Sequence, residues 1–360
     1  MNDFKLARPG AIATSTTLQA HWFAAPLAAA VYPWLLALYH GFTKAVERGD
    51  GAAAWLGAAL ALLAALAMPA IAFGAALRLG RLADPSAAEL AARRTALLGV
   101  AAPPMFTLAG VGALLLGRPG WDLGFLLTVW AALALRIATA DRRPLRPSGA
   151  ARPIANWRFA HGGAAVLALL FLAFHFSNHL VGLAGPEAHM AVLNVLRVAY
   201  RSPLVEPLLI GVFAFLIVTG ARLAWRWSAR PMDAARILQV AGGVFLVWAV
   251  ISHVNAVLYL ARVHFGIDTD WAFATGAPAG MLLDPWNIRL LPYYLGAVFF
   301  VVAHAFCGLR IVMLAHGAPR QRRPRASGRH RVRGAAGDQH HPRDVRPAPE
   351  LFLTNLMEYA

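Results

Sequence analysis

From Phe159 to Pro186 the chain contains no Lys, Arg, Asp or Glu, and this limits what the segment can fold into more sharply than any other feature. A bilayer core of roughly 30 Å takes about 20 apolar residues in helical form. Five more uncharged runs lie between Arg8 and Lys44, Asp50 and Arg78, Arg94 and Arg118, Arg236 and Arg262, and Arg289 and Arg310. Two further spans, Trp121 to Ala140 and Leu204 to Trp227, carry Arg136 in one case and Arg222 and Arg226 in the other, all in the last turns. A long basic side chain at a helix end snorkels to the headgroups, so these count as spans too. The pattern predicts an all-α membrane protein of eight transmembrane helices. Of the 360 residues, 59% are hydrophobic and 14% charged, and the mean hydropathy is +0.56. Those values belong to that class and not to an ordinary soluble domain.

A formal charge of +16 would point to nucleic acid in a soluble protein, but here its distribution decides. If the connections alternate between two sides, the side holding the N-terminus has sixteen Lys and Arg before the tail. The other side has seven: Lys44, Arg48, Arg118, Arg197, Arg201, Arg262 and Arg289. The positive-inside rule then predicts a multi-pass protein of a bacterial-type inner (plasma) membrane with both termini cytoplasmic. Its first partner is the lipid bilayer, and no nucleic-acid partner is expected. The single cysteine, Cys307, excludes a disulfide framework, an iron–sulfur cluster or a Cys-based zinc site within the chain.

The Arg- and Pro-rich stretch RRPLRPSGAARP at 142–153 divides the helices four and four. The expected organisation is an N-terminal four-helix transmembrane region at 1–141, without an assigned role, then a basic cytoplasmic linker at 142–158. A four-helix bundle at 159–316 and a basic tail at 317–360, disordered by composition, complete it. In the first region many Ala and Gly residues allow close helix packing, and Pro103 and Pro104 are expected to kink the third span.

Histidine is rare in hydrocarbon because nothing there satisfies its N–H and lone pair, so intramembrane histidines are functional candidates. At about 1.5 Å per residue, His175 lies roughly 21 Å from a helix start at His161, and His253 roughly 24 Å from one at Ile237. These two spans run in the same direction, which puts both rings at nearly one depth. His304, on a span running the opposite way from Leu290, falls in the cytoplasmic half. Two imidazoles facing each other at one depth are what an axially ligated haem b requires. Gly162, Gly163, Gly242 and Gly243 are small enough to make room for the ring. His179, one turn beyond His175, is placed to meet water, a haem propionate or a quinone.

Three segments together resemble the membrane-anchor cytochrome b subunits of succinate dehydrogenase and fumarate reductase, over about residues 155–315. GGAAVLALLFLAFHFSNHL is similar to that family's first ligand helix and matches its ligand to His175. LQVAGGVFLVWAVISHVNAVLYL is similar to a later ligand helix, with the ligand at His253, and PYYLGAVFFVVAHAFCGLRIVMLAHG to the last, with the ligand at His304. The resemblance implies a haem-binding bundle that is itself non-catalytic and passes electrons to or from quinone. It also implies flavoprotein and iron–sulfur subunits on the cytoplasmic face of a larger oxidoreductase, and a quinone site near Arg158 and His161. Dihaem members pair the counterpart of His304 with a histidine on the second helix of the set. Here that helix, LLIGVFAFLIVTGARLAWRW, has none, so one haem is expected. NWRFAHGG supplies Arg158 but lacks the serine common at that family's quinone site.

By themselves, the residues leave two other classes open. One is a transporter whose histidines relay protons; against it stands an apparent lack of intramembrane carboxylates, with Glu206 at a helix end the only one noted. The other is a scaffold or assembly protein in which histidines merely join helices. Tyr200, Arg201 and Glu206, in the connection after the fifth span, either cap helices or line a quinone head-group site.

Overall fold

A computed structural model describes residues 17–145 and 155–317. The tail from 318 and most of the linker lie outside the described residues. Compact clustering divides the chain into Met1–Cys307 and Gly308–Ala360; of the second unit, only the end of the last helix and the two residues after it are described.

Every regular element among the described residues is helical. The helices are α1 (Ala24–Glu47), α2 (Gly51–Leu79), α3 (Ala87–Gly99), α4 (Ala102–Leu115), α5 (Trp121–Thr139) and α6 (Ala155–Val181). They continue with α7 (Pro186–Tyr200), α8 (Val205–Ser228), α9 (Ala234–Val254), the short α10 (Trp271–Thr275) and α11 (Gly280–Leu283), and α12 (Leu290–Ala315). Among the described residues, seven helices are long and apolar enough to cross a membrane, or eight if α3 and α4 together form one span. That pair is bent by 70° at its break. The bend falls where α4 begins with Pro103 and Pro104 in its first turn, positions at which proline's missing N–H costs nothing but which cannot continue a preceding helix.

The third span therefore starts earlier than its uncharged run. Ser86 caps α3 by accepting from Glu89 N, while Glu89 accepts from Ser86 N, a reciprocal capping box. Glu89 is buried, as is Asp122 at the start of α5. This corrects the expectation that Glu206 is the only carboxylate near a span. Both buried carboxylates have local partners: Glu89 its cap, and Asp122 the guanidinium of Arg289.

α1 and α2 pack along their lengths, Tyr32, Leu36 and Tyr39 of one facing Ala58, Ala61, Ala65 and Ala72 of the other in a single core. Alanine at each contact lets the backbones approach closely, the main source of attraction between helices in lipid. α9 packs against α2, α3 and α4 and adds Ile237, Val240, Ala241, Phe245 and Ala249 to the same core. At one end Arg93, with no exposure, donates to Leu79 O, Leu82 O, Ser228 O and Arg230 O at 2.8 to 3.0 Å. It thus caps the carbonyl ends of α2 and α8 at once. At the other end Arg289, just before α12, pairs with Asp122 of α5 and lies over the Phe106 ring of α4 at 3.9 Å.

Within the later helices, α6 packs on α8 and α8 on α9, but α6 makes no comparable backbone approach to α9 or α12. Side chains, His175 and His253 among them, span the distance between α6 and α9. α6 stops where Gly185 takes φ 113°, a conformation costly for other residues, and Pro186 then opens α7. Beyond Val254, α9 continues as a π-helix over Asn255–His264.

Candidate functional site

The α-helical period puts Phe171, His175 and His179 on one stripe of α6, four residues apart. Phe171 stacks on His175 with ring centroids 5.5 Å apart and planes at 19°, and His179 meets His175 edge-on at 4.7 Å. Between α6 and α9, the centroids of His175 and His253 are 5.9 Å apart with planes at 70°. Tyr294 of α12 meets His253 edge-on, with centroids 6.4 Å apart. The two histidines at matching depth thus lie beside each other in the fold.

The row of rings continues away from the arginine-rich end. His189 of α7 is 5.7 Å from His179 and 5.2 Å from Trp271 of α10, and Asn178 Nδ2 lies 3.1 Å from His189 Nε2. In the sequence, His189 stands out only as part of an ordered outer connection, without a role, and Asn178 does not stand out at all. The amphipathic α7 looks like a connection, and nothing local marks its one buried histidine. Burial, reinforced by the neighbouring Arg197, holds His189 below the ordinary histidine pKa.

The residues fit a bis-imidazole haem in three respects. A metal–nitrogen bond of about 2 Å on each side of an iron sets the two ring centres roughly 6 Å apart, close to the separation of His175 and His253. α6 and α9 are not among the closely packed helix pairs, and at this level they meet through side chains. Asn178 Oδ1, His189 Nδ1 and Asn255 Oδ1, on or beside this layer, are buried without a hydrogen-bond partner, as expected where a polar component is missing. Two of the glycines do not serve as expected. A Cβ on Gly242 would lie 3.0 Å from Phe300 Cδ1, and one on Gly243 3.1 Å from His304 Cε1. α12 therefore fills the space beside both, whereas Gly162 and Gly163 have open space.

The other candidates fall at the arginine-rich end. His161 Nδ1 is 2.7 Å from Thr219 Oγ1, and His304 Nδ1 is 2.9 Å from Gln239 O. Arg158, half-buried, follows Trp157, whose ring lies under Arg222 at 5.1 Å. Arg201 pairs with Asp268 and donates to Thr269 Oγ1, and Arg262 pairs with Glu206. These contacts tie the loop after the π-helix to the end of α7, and the π-helix itself to the start of α8. Among the described residues, no group of three or more His, Cys, Asp or Glu is arranged to hold a metal ion; an axial haem pair needs only two. No family model, no curated protein and no solved structure matches this chain.

Proposed function

We propose that the chain is a membrane electron-transfer subunit that binds haem b between α6 and α9 through His175 and His253 and exchanges electrons with quinone. It serves, in this reading, as the non-catalytic membrane anchor of an oxidoreductase resembling succinate dehydrogenase or fumarate reductase. Flavoprotein and iron–sulfur partners would dock on the arginine-rich, cytoplasmic face of a bacterial-type inner membrane. The observation that carries the reading is the ring pair: two imidazoles from different spans, 5.9 Å apart.

Haem, when bound, supplies a one-electron couple whose potential depends on its axial ligands and the dielectric around it. The chain's own residues do the rest. Phe171 stacks against His175 and restricts its ring, and Tyr294 of α12 meets His253 in a T-shaped contact. The apolar walls of α6 and α9 exclude water. Arg158 offers a quinone carbonyl a charged donor at the arginine-rich end.

Detergent-purified protein is expected to show the reduced-minus-oxidised bands of six-coordinate haem b. His175→Ala and His253→Ala should lose them and His179→Ala keep them; a folded, colourless wild type overturns the reading. A second reading, a proton-relaying transporter, draws on the row of imidazoles from His253 through His175 and His179 to His189. Its mark would be proton uptake by haem-free proteoliposomes that His179→Phe abolishes.

A further inference from the structure

Arginines at the two ends of the helices meet different partners. Away from the arginine-rich end they meet carboxylates: Arg48 with Asp50, Arg201 with Asp268, Arg262 with Glu206 and Arg289 with Asp122. At the arginine-rich end two guanidiniums lie on indole rings. Arg94 of α3 sits over Trp225 of α8 at 3.4 Å, and Arg222 of α8 over Trp157 of α6 at 5.1 Å. Arg94 also donates from Nε to Ser228 Oγ and from Nη2 to Trp225 O, both neutral acceptors. Among the described residues, neither guanidinium has a carboxylate partner. Stacking engages the flat face of a guanidinium and leaves its edge of N–H donors to oxygen acceptors such as a phosphate. For Arg222 that is the whole edge, and for Arg94 it is Nη1.

The surface that carries these charges continues as an apolar track. Leu208, Phe215, Val218, Arg222 and Trp225 are spaced by three, four or seven residues, so they share one face of α8, and each is exposed. Val218 is 65% exposed and Trp225 57%. From Arg222 to Leu208 the track runs about 21 Å by helical rise, longer than the roughly 15 Å that the chains of one leaflet occupy. Charge at the end of the span and an apolar track leading from it toward the middle match the two parts of a phospholipid. An acidic soluble partner would satisfy the charges and leave the track uncovered.

We propose that this face of α8, with the ends of α3 and α6, binds an anionic phospholipid, its phosphate at the level of Arg94 and Arg222 and one acyl chain along Val218 and Phe215. Trp157 and Trp225 stand at the headgroup boundary, where indoles are enriched, and hold the two guanidiniums in place. The proposal is independent of the haem reading and of its outcome.

The test is native mass spectrometry of the full-length protein, delipidated in detergent and titrated with phosphatidylglycerol or with phosphatidylcholine of the same acyl chains. Wild type should bind phosphatidylglycerol more tightly. Arg222→Gln, a change at an exposed side chain, should weaken that binding about fivefold, the worth of one basic residue at an anionic headgroup. Arg94→Gln should do the same where it folds. Phosphatidylglycerol brominated in its acyl chains should quench tryptophan fluorescence, and Trp225→Phe should remove part of that quenching. Arg331→Gln with Arg333→Gln, in the basic tail, should leave the preference unchanged. Equal affinity for the two lipids, a preference indifferent to Arg222→Gln or abolished by the tail variant, quenching unchanged in Trp225→Phe, or displacement of the lipid by millimolar inorganic phosphate would each overturn the site. So would loss of a co-purifying subunit from Arg222→Gln at unchanged lipid affinity, which would assign the arginines to a protein partner.

Discussion

Arg93 shows how a residue's role can be hidden at its own position. Read along the sequence, it is one of four arginines that appear to end spans at the basic side. In the fold it has no exposure and donates to four carbonyls, two of them across the chain at Ser228 and Arg230. Each carbonyl left without a donor costs about 1 to 3 kcal/mol. Arg93→Lys keeps the charge but cannot reproduce a fork aimed at several acceptors, so it should destabilise the folded protein by at least about 3 kcal/mol in detergent unfolding. A loss below about 1 kcal/mol would mean that the cap is incidental. His189 gives a pH signature. Its pKa is depressed in the fold, so the unfolded chain binds the proton more readily, and its contribution is complete above the ordinary value of about 6.5 and lost as pH falls below it. The unfolding midpoint should therefore drop between about pH 7.5 and about pH 5.5, and drop less in His189→Phe; parallel slopes would contradict this.

At the scale of elements, uncharged runs identified the long spans because hydrocarbon leaves a helix few alternatives. The run from Arg94 to Arg118 misled at its start. α3 begins at Ala87 and carries Glu89, Arg93 and Arg94 inside the helix. The motif Ser86-Ala-Ala-Glu89 marks that start in the sequence, but the charges that follow it become acceptable only once their tertiary partners exist. The pairing of His175 with His253 was legible because depth follows from counting residues along two parallel helices. The neighbours of His304 were not legible, since which face of α12 meets Gly243 is set by packing. Nor was the joint between the N-terminal helices and α12, where Asp122, Phe106 and Arg289 meet. Asp122→Asn leaves that guanidinium without its counter-charge and should cost about 3 to 5 kcal/mol. The double variant Asp122→Leu with Arg289→Met should recover most of the loss. Equal losses in the single and double variants would show that the pair contributes no coupling.

For the whole molecule, the first four helices and α9 share one core, so the early helices brace the α9 side of the histidine pair. α12 joins the same core through Tyr293 and Phe300. The excess of arginine at one end sets the expected orientation. In a Cys307→Ala background, Arg230→Cys should react with an impermeant maleimide only after cells are opened, and Arg48→Cys should react in intact cells; the reverse pattern would invert the topology. The central claim, that His175 and His253 grip one iron from opposite sides, is tested most directly by electron paramagnetic resonance of the oxidised protein. The wild type should show a low-spin ferric signal, lost in His253→Ala together with the six-coordinate bands. A wild type without a low-spin signal, or a His253→Ala spectrum identical to wild type, would contradict it.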